Sequence, residues 1–162
     1  MTMDRDERAA DSTSAESLAL TVRRTIAASA ARLYEAWTNP EQLLRWWGPR
    51  GVRCFEAQID LRVGGQYRIG NEMPDGRVVW ITGSFEAIAP GRSLTYSWVV
   101  DGKSARERVT VRFEPRGSAT EVVVVHESIA GPIVRDEHER GWEGCLFGLA
   151  RLVDPSVSAE AS

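Results

Sequence analysis

The sequence predicts an α+β fold in which a curved antiparallel sheet wraps around a long C-terminal helix. Short β segments follow one another after Gly51, and turn-forming pairs such as Gly-Gly, Pro-Gly and Asp-Gly separate them. Connections this short join antiparallel neighbours. An apolar stripe with helical spacing then runs from about Val134 to Val153, which predicts the long helix.

The individual strands follow from alternating apolar positions. The first strand is predicted over Leu18 to Ile26, where apolar side chains recur at most even positions. Six further strands are predicted, over Val52–Ile59, Gln66–Gly70, Val78–Ile88, Leu94–Val100, Arg106–Phe113 and Glu121–Ser128. A sheet that curls around a helix readily leaves a cavity between the two, so the sequence also predicts an internal pocket.

Two short helices between the first and second strands meet at a corner. Asn39 can cap the second of these helices, and Pro40 suits its first turn. This helix ends in two adjacent tryptophans, Trp46 and Trp47, before a Gly-Pro stop. Neighbours on a helix point about 100° apart. We therefore expect one indole to anchor the corner in the core and the other to form a wall or lid of the pocket.

Length and charge limit the classes of function. The 162 residues suit one domain, predicted over 18–153, with disordered tails over 1–17 and 154–162. A net charge of −3 and a pI near 5.5 argue against nucleic acid or an anionic membrane as a partner. The sequence shows neither a secretory signal nor a membrane-spanning stretch, so a cytoplasmic location is expected.

Both histidines are predicted to lie under the C-terminal helix. Val122, Val124 and His126 share one face of the last strand, and His138 begins the apolar stripe that continues through Trp142. Two interpretations of His126 stay open. It is either a buried structural histidine with a satisfied N–H, or a residue that contacts a ligand as an acid or base. No catalytic residue is assigned, because no nucleophile is paired with a base by spacing.

A metal site is not expected. Two histidines with Glu127 or Glu139 could in principle bind zinc, but Glu127 should point away from His126. Adjacent His-Glu pairs also lack the usual spacing of zinc ligands.

Aromatic residues on the strands complete the candidate site. Trp80 alternates out of phase with Val79 and Ile81, so it is expected to border both the core and the cavity. The candidate ligand-binding residues are Trp46, Trp47, Tyr67, Trp80, Trp98, His126, His138 and Trp142.

A series of short motifs occurs in a fixed order along the chain. The motifs occupy Tyr34–Glu41, Trp46–Pro49, Gly64–Arg68, Gly83–Phe85, Pro90–Leu94, Tyr96–Trp98, His126–Glu127 and His138–Trp142. From Leu18 to Val153, this order resembles the AHSA1-like branch of the START/Bet v 1-like (SRPBCC) superfamily.

The resemblance implies a helix-grip fold with a deep, mostly apolar pocket and no obligatory cofactor or metal. It favours the binding of a small hydrophobic or aromatic molecule. One alternative is an enzyme of lyase, cyclase or hydrolase type that uses a pocket histidine as acid or base. Another is an interaction module like the Hsp90 activator. The resemblance extends only to the activator's C-terminal part, so Hsp90 is not expected as a partner. A homodimer is left open.

Overall fold

The computed structural model describes residues 17–103 and 105–157. The elements in chain order are β1 (Leu18–Ile26), α1 (Ala30–Thr38), α2 (Pro40–Trp46), β2 (Arg53–Ile59), β3 (Gln66–Glu72), β4 (Val78–Ala89), β5 (Ser93–Val100), β6 (Glu107–Arg116), β7 (Ala119–Ile129) and α3 (Pro132–Val153). Most of the predicted N-terminal tail and residues 158–162 of the C-terminal tail lie outside the described residues. Residues 154–157 form a turn, and Val157 packs against the core.

The strands form one sheet in the order β1-β7-β6-β5-β4-β3-β2, and all neighbours are antiparallel. Strands β2 to β7 neighbour one another in chain order, whereas β1 lies at the edge of the sheet beside β7. The curved sheet and α3 enclose the core, to which α3 contributes Trp142, Cys145, Leu146 and Leu149. The predicted α+β fold class, with two short helices after the first strand, is confirmed.

The corner between α1 and α2 forms as its residue types predict. Asn39 Oδ1 accepts the backbone N–H groups of Glu41 and Gln42 at 2.9 and 3.2 Å, and Pro40 occupies the first turn of α2. Helix α3 lies directly against this corner. A Cβ added at Gly148 would come within 2.6 Å of the Trp46 carbonyl oxygen, so only glycine permits this approach.

Five strands, β3 to β7, extend beyond the predicted limits, and the extension of β3 matters for the site. β3 continues past Gly70 to Glu72, because Asn71 and Glu72 pair with Val79 and Val78 across the hairpin. β6 continues to Arg116 because it pairs with β7 along its length. Turn residues marked the hairpins correctly, but cross-strand pairing sets where each strand ends.

Candidate ligand-binding cavity

A cavity of about 320 Å³ lies between α3, the α2 corner and strands β3 to β5. Aromatic walls come from three separate elements, namely Trp47 after α2, Trp98 on β5 and Trp142 on α3. His138 lines the same cavity one turn before Trp142. Charged groups, including Arg77, Asp101, Lys103 and Glu137, also contribute to the lining. The arrangement is an apolar chamber with a few polar side chains, which is typical of small-molecule sites.

Trp46 and Trp47 divide the two roles that the sequence predicts for them. Trp46 is buried, and its indole N–H donates to the Ala36 carbonyl at 2.9 Å, so this side chain anchors α2 to α1. Trp47 instead faces the cavity and makes an edge contact with the Trp142 ring at 5.4 Å. Of the two indoles, Trp47 is therefore the one placed to contact a ligand.

Tyr67 lies deeper than the main cavity. It lines a small void of about 20 Å³ together with Trp47, Trp98 and other core residues. Its hydroxyl donates to the Ser97 carbonyl at 2.7 Å, and burial holds its pKa well above the usual value. The neutral hydroxyl already has its partner, so the described geometry gives Tyr67 a packing role.

The sequence predicts that Trp80 borders the cavity, but in the structure Trp80 lies away from it. Val79 and Ile81 line the cavity, and the residue between them on β4 therefore points to the opposite face of the sheet. There the Arg68 guanidinium lies 3.9 Å from the centre of the Trp80 ring, and Phe55 packs edge-on at 5.4 Å. The apolar run on β4 reflects this outer aromatic contact, which is a cation–π arrangement.

The two histidines meet at one carboxylate, that of Glu107. Nε2 of His126 lies 2.7 Å from Glu107 Oε1, and Nε2 of His138 lies 2.9 Å from the same atom. The two imidazole rings stack with their centres 4.4 Å apart. The indole N–H of Trp142 donates to Nδ1 of His126 at 2.9 Å. His126 is completely buried behind this network, whereas the His138 side chain is 17% exposed.

Hydrogen bonding sets the charge of this network. Burial opposes ionisation of Glu107, but the hydrogen bonds from His126 and His138 outweigh it and hold the pKa of the carboxyl at about 2. Burial lowers the pKa of His126, and Glu107 only partly offsets that effect. At neutral pH the network therefore contains an ionised Glu107 and a neutral His126.

The same contacts determine which ring nitrogen of each histidine carries the proton. An indole N–H can only donate, so Nδ1 of His126 carries no proton and its Nε2 proton points to Glu107. His138 likewise presents an Nε2 proton to the ionised carboxylate. None of the hydrogen bonds among the described residues involves Nδ1 of His138, so that nitrogen is available as a base.

The Glu107, His126 and His138 ligand atoms lie within 4.8 Å of one another, a grouping that could hold a metal ion. Metal-bound histidines normally donate their other N–H to an acceptor. Nδ1 of His126 instead accepts a hydrogen bond from the Trp142 N–H, so the proton of this imidazole lies on Nε2. A metal held with Glu107 and His138 would need that Nε2 atom without its proton. This contact favours a hydrogen-bonded network over a metal centre.

Two cavity-lining residues carry a buried polar atom without a partner among the described residues, namely Asn71 Oδ1 and Trp98 Nε1. The Asn71 amide nitrogen donates to the Val79 carbonyl at 3.3 Å. Because a carbonyl only accepts, this bond fixes the amide orientation and leaves Oδ1 on the other side. An unpaired buried polar atom costs about 1–3 kcal/mol.

Cys145 also lines the cavity but does not supply a nucleophile. Burial raises the pKa of its thiol to about 12, so the reactive thiolate is absent at neutral pH. Cys54 and Cys145 are both free.

The sequence-based prediction omits most of the other residues that line the cavity, and among the omitted site residues Glu107 and Asn71 have the most specific polar contacts. Glu107 shares the inward phase of Val109 and Val111 on β6, so strand alternation could have identified it. The prediction considered Glu127 and Glu139 because they adjoin the histidines in sequence. Asn71 had no such signal, since it lies beyond the predicted end of β3.

The curved sheet, the long C-terminal helix and the cavity between them define a helix-grip protein of the Bet v 1-like type. Residues 27–154 match the family described as activator of Hsp90 ATPase homolog 1-like protein. The chain belongs to this AHSA1 family. The resemblance seen in the sequence is therefore confirmed. No curated protein matches the chain.

Several solved structures share the fold. Protein CV1439 from Chromobacterium violaceum is 26% identical, with a TM-score of 0.76 over 85% of this chain and 97% of that protein. CalU16 from Micromonospora echinospora is also 26% identical, with a TM-score of 0.65 over 85% and 77% of the two chains. An AHSA1 protein from Silicibacter pomeroyi is 24% identical, with a TM-score of 0.76 over 86% and 99%. In the part of the chain that the structure describes, no helix is long and apolar enough to cross a membrane.

Proposed function

We propose that this protein binds a small hydrophobic or aromatic molecule in the cavity under α3. The observation that carries the proposal is the cavity of about 320 Å³ whose walls include the rings of Trp47, Trp98 and Trp142. Flat aromatic walls bury a large apolar area of a ligand and favour offset or edge-on ring contacts. Membership of a helix-grip family agrees with an internal ligand site.

A titration with hydrophobic probes tests this proposal. Naphthalene, a steroid and a fatty acid are added separately while tryptophan emission and the thermal midpoint are recorded. A ligand that binds only the native state must raise the midpoint, and three indoles in the cavity wall should change their emission. The Trp80→Phe variant is the matched control, since Trp80 lies on the outer face. Unchanged emission and midpoint with all probes would contradict the proposal.

A second candidate function is proton transfer to or from the bound molecule by His138. The observation that favours it is the hydrogen bond from His138 Nε2 to the ionised Glu107, which leaves Nδ1 as the basic nitrogen at a cavity wall. A carboxylate behind an imidazole fixes its tautomer and stabilises its protonated form.

Deuterium exchange tests the second candidate. Acetonaphthone carries an acetyl methyl group whose C–H bonds are acidified by the carbonyl. When a base removes one of these protons in deuterated water, the resulting enolate takes up deuterium at the same carbon. Wild-type protein should accelerate this exchange and His138→Gln should not, with Trp80→Phe again as the control. Equal exchange rates for wild type and His138→Gln would eliminate the proton-transfer role while leaving binding intact.

A further inference from the structure

We infer that the ligand of this cavity carries a hydrogen-bond donor that pairs with Asn71 Oδ1 and an acceptor that pairs with the Trp98 indole N–H. The inference rests on the proposed function and adds the polar chemistry of the ligand. It starts from the two buried polar atoms of cavity-lining residues that lack a partner in the described part of the chain.

Both side chains are buried, with Asn71 3% and Trp98 6% exposed. Buried polar groups in proteins are nearly always paired, so each exception calls for a specific partner. A wholly apolar ligand would leave both atoms unpaired. A ligand with one donor and one acceptor satisfies both and gains affinity from each pairing.

The positions of the two residues indicate the spacing of the ligand's polar groups. Asn71 lies on β3 and Trp98 on β5, with β4 between them. Neighbouring strands are about 4.8 Å apart, which separates the two residues by about 10 Å across the sheet. Asn71 pairs with Val79, whereas Trp98 falls opposite Gly83 in the register of β4 and β5. The two positions are therefore also offset by about 13 Å along the strands. A single substituted ring is too short to meet both atoms, and a fused-ring molecule with a hydroxyl at one end and a carbonyl at the other fits better.

The contacts of each atom determine which group goes where. Asn71 Oδ1 can only accept, so it takes the hydroxyl proton of the ligand. Trp98 Nε1 can only donate, so it binds the carbonyl oxygen. Neither atom has appreciable exposed surface, so entry of the ligand must displace the side chains that cover them, a local adjustment that is common on binding.

A matched series of four probes separates the two pairings: naphthalene, naphthol, acetonaphthone, and hydroxyacetonaphthone with its groups at opposite ends of the ring system. Dissociation constants are measured by calorimetry for wild type, Asn71→Leu and Trp98→Phe. We expect the hydroxyl and the acetyl group each to tighten binding to wild type about tenfold. Asn71→Leu should lose only the gain in affinity that the hydroxyl gives, and Trp98→Phe should lose only the gain in affinity that the acetyl group gives.

The Trp80→Phe variant is the control, because Trp80 lies on the outer face and the variant should retain both gains in affinity. His138→Phe tests a competing assignment. If His138→Phe loses the gain from the hydroxyl while Asn71→Leu keeps it, the hydroxyl pairs with His138 Nδ1 and the role of Asn71 is overturned. If wild-type protein binds all four probes with equal affinity, the inference is wrong, and no variant is needed to show it. The proposed binding of an apolar molecule would still hold. If no probe binds, both proposals fail.

Discussion

Gly141 offers the sharpest test of the cavity by substitution. It lies on α3 between His138 and Trp142 and lines the cavity, and a Cβ added there would meet nothing within 4 Å. A side chain at this position therefore enters the cavity rather than the packed core. Replacing a glycine inside a helix also removes its conformational cost, so alanine should stabilise the fold by about 1 kcal/mol.

The pair Gly141→Ala and Gly141→Leu separates helix propensity from cavity volume. Both residues favour a helix, so both variants should raise the thermal midpoint, by about 2–4 °C for a protein of this size. Leucine additionally fills part of the cavity. If it excludes two CH₂-sized groups of the ligand, binding weakens by about 1.6 kcal/mol, or roughly fifteenfold.

The assay is the dissociation constant of naphthalene for both variants and wild type, with the thermal midpoint measured on the same samples. Gly141→Ala should bind within about twofold of wild type. The expected result is a stable Gly141→Leu protein with weakened binding. A Gly141→Leu variant that folds and binds as well as Gly141→Ala would refute the placement of the ligand under α3.

Three further outcomes are expected. His126→Ala removes one of the two imidazole partners of Glu107 and the acceptor of the Trp142 indole N–H, so it should lower the free energy of unfolding by about 3 kcal/mol. His138→Ala, at the cavity wall, removes only one contact to Glu107 and should cost about 1 kcal/mol. Equal costs in urea unfolding would contradict the different burial of the two histidines. Stability should decrease on acidification, first below about pH 6.5, because the pKa of His126 is lowered by folding and the unfolded chain takes up the proton first. A second loss should follow between about pH 4.5 and 2 as Glu107 titrates, and a flat stability profile over pH 2–7 would count against the network. We also expect no stimulation of Hsp90 ATPase at stoichiometric protein; stimulation that disappears on surface charge reversal would contradict this.

The fold was predictable because its signals are local. Glycine and proline pairs marked the hairpins, alternation marked the strands, and the stripe from His138 through Trp142 marked α3. Asn39 and Pro40 likewise fixed the corner, since capping depends on residues that are adjacent in sequence.

The site was only partly predictable because it depends on contacts across the sheet. Alternation correctly placed His126 inward, but the carboxylate that it meets comes from the neighbouring strand and is 19 residues away. Trp80 misled the prediction because an apolar side chain on an outer face can be covered by an arginine, which single-strand periodicity does not show. The unpaired atom of Asn71 depends on the hydrogen-bond partners of a folded chain, so no pattern could identify it.

Binding of a ligand under α3 can be followed in the two-dimensional NMR spectrum of the indole N–H groups during titration with hydroxyacetonaphthone. The chain has six tryptophans, so each indole is a separate reporter of position. Binding under α3 should shift the resonances of Trp47, Trp98 and Trp142, with the largest change at Trp98, and leave those of Trp46 and Trp80 in place. Saturable shifts at Trp80 with unchanged cavity indoles, or no shift at any indole, would contradict binding under α3.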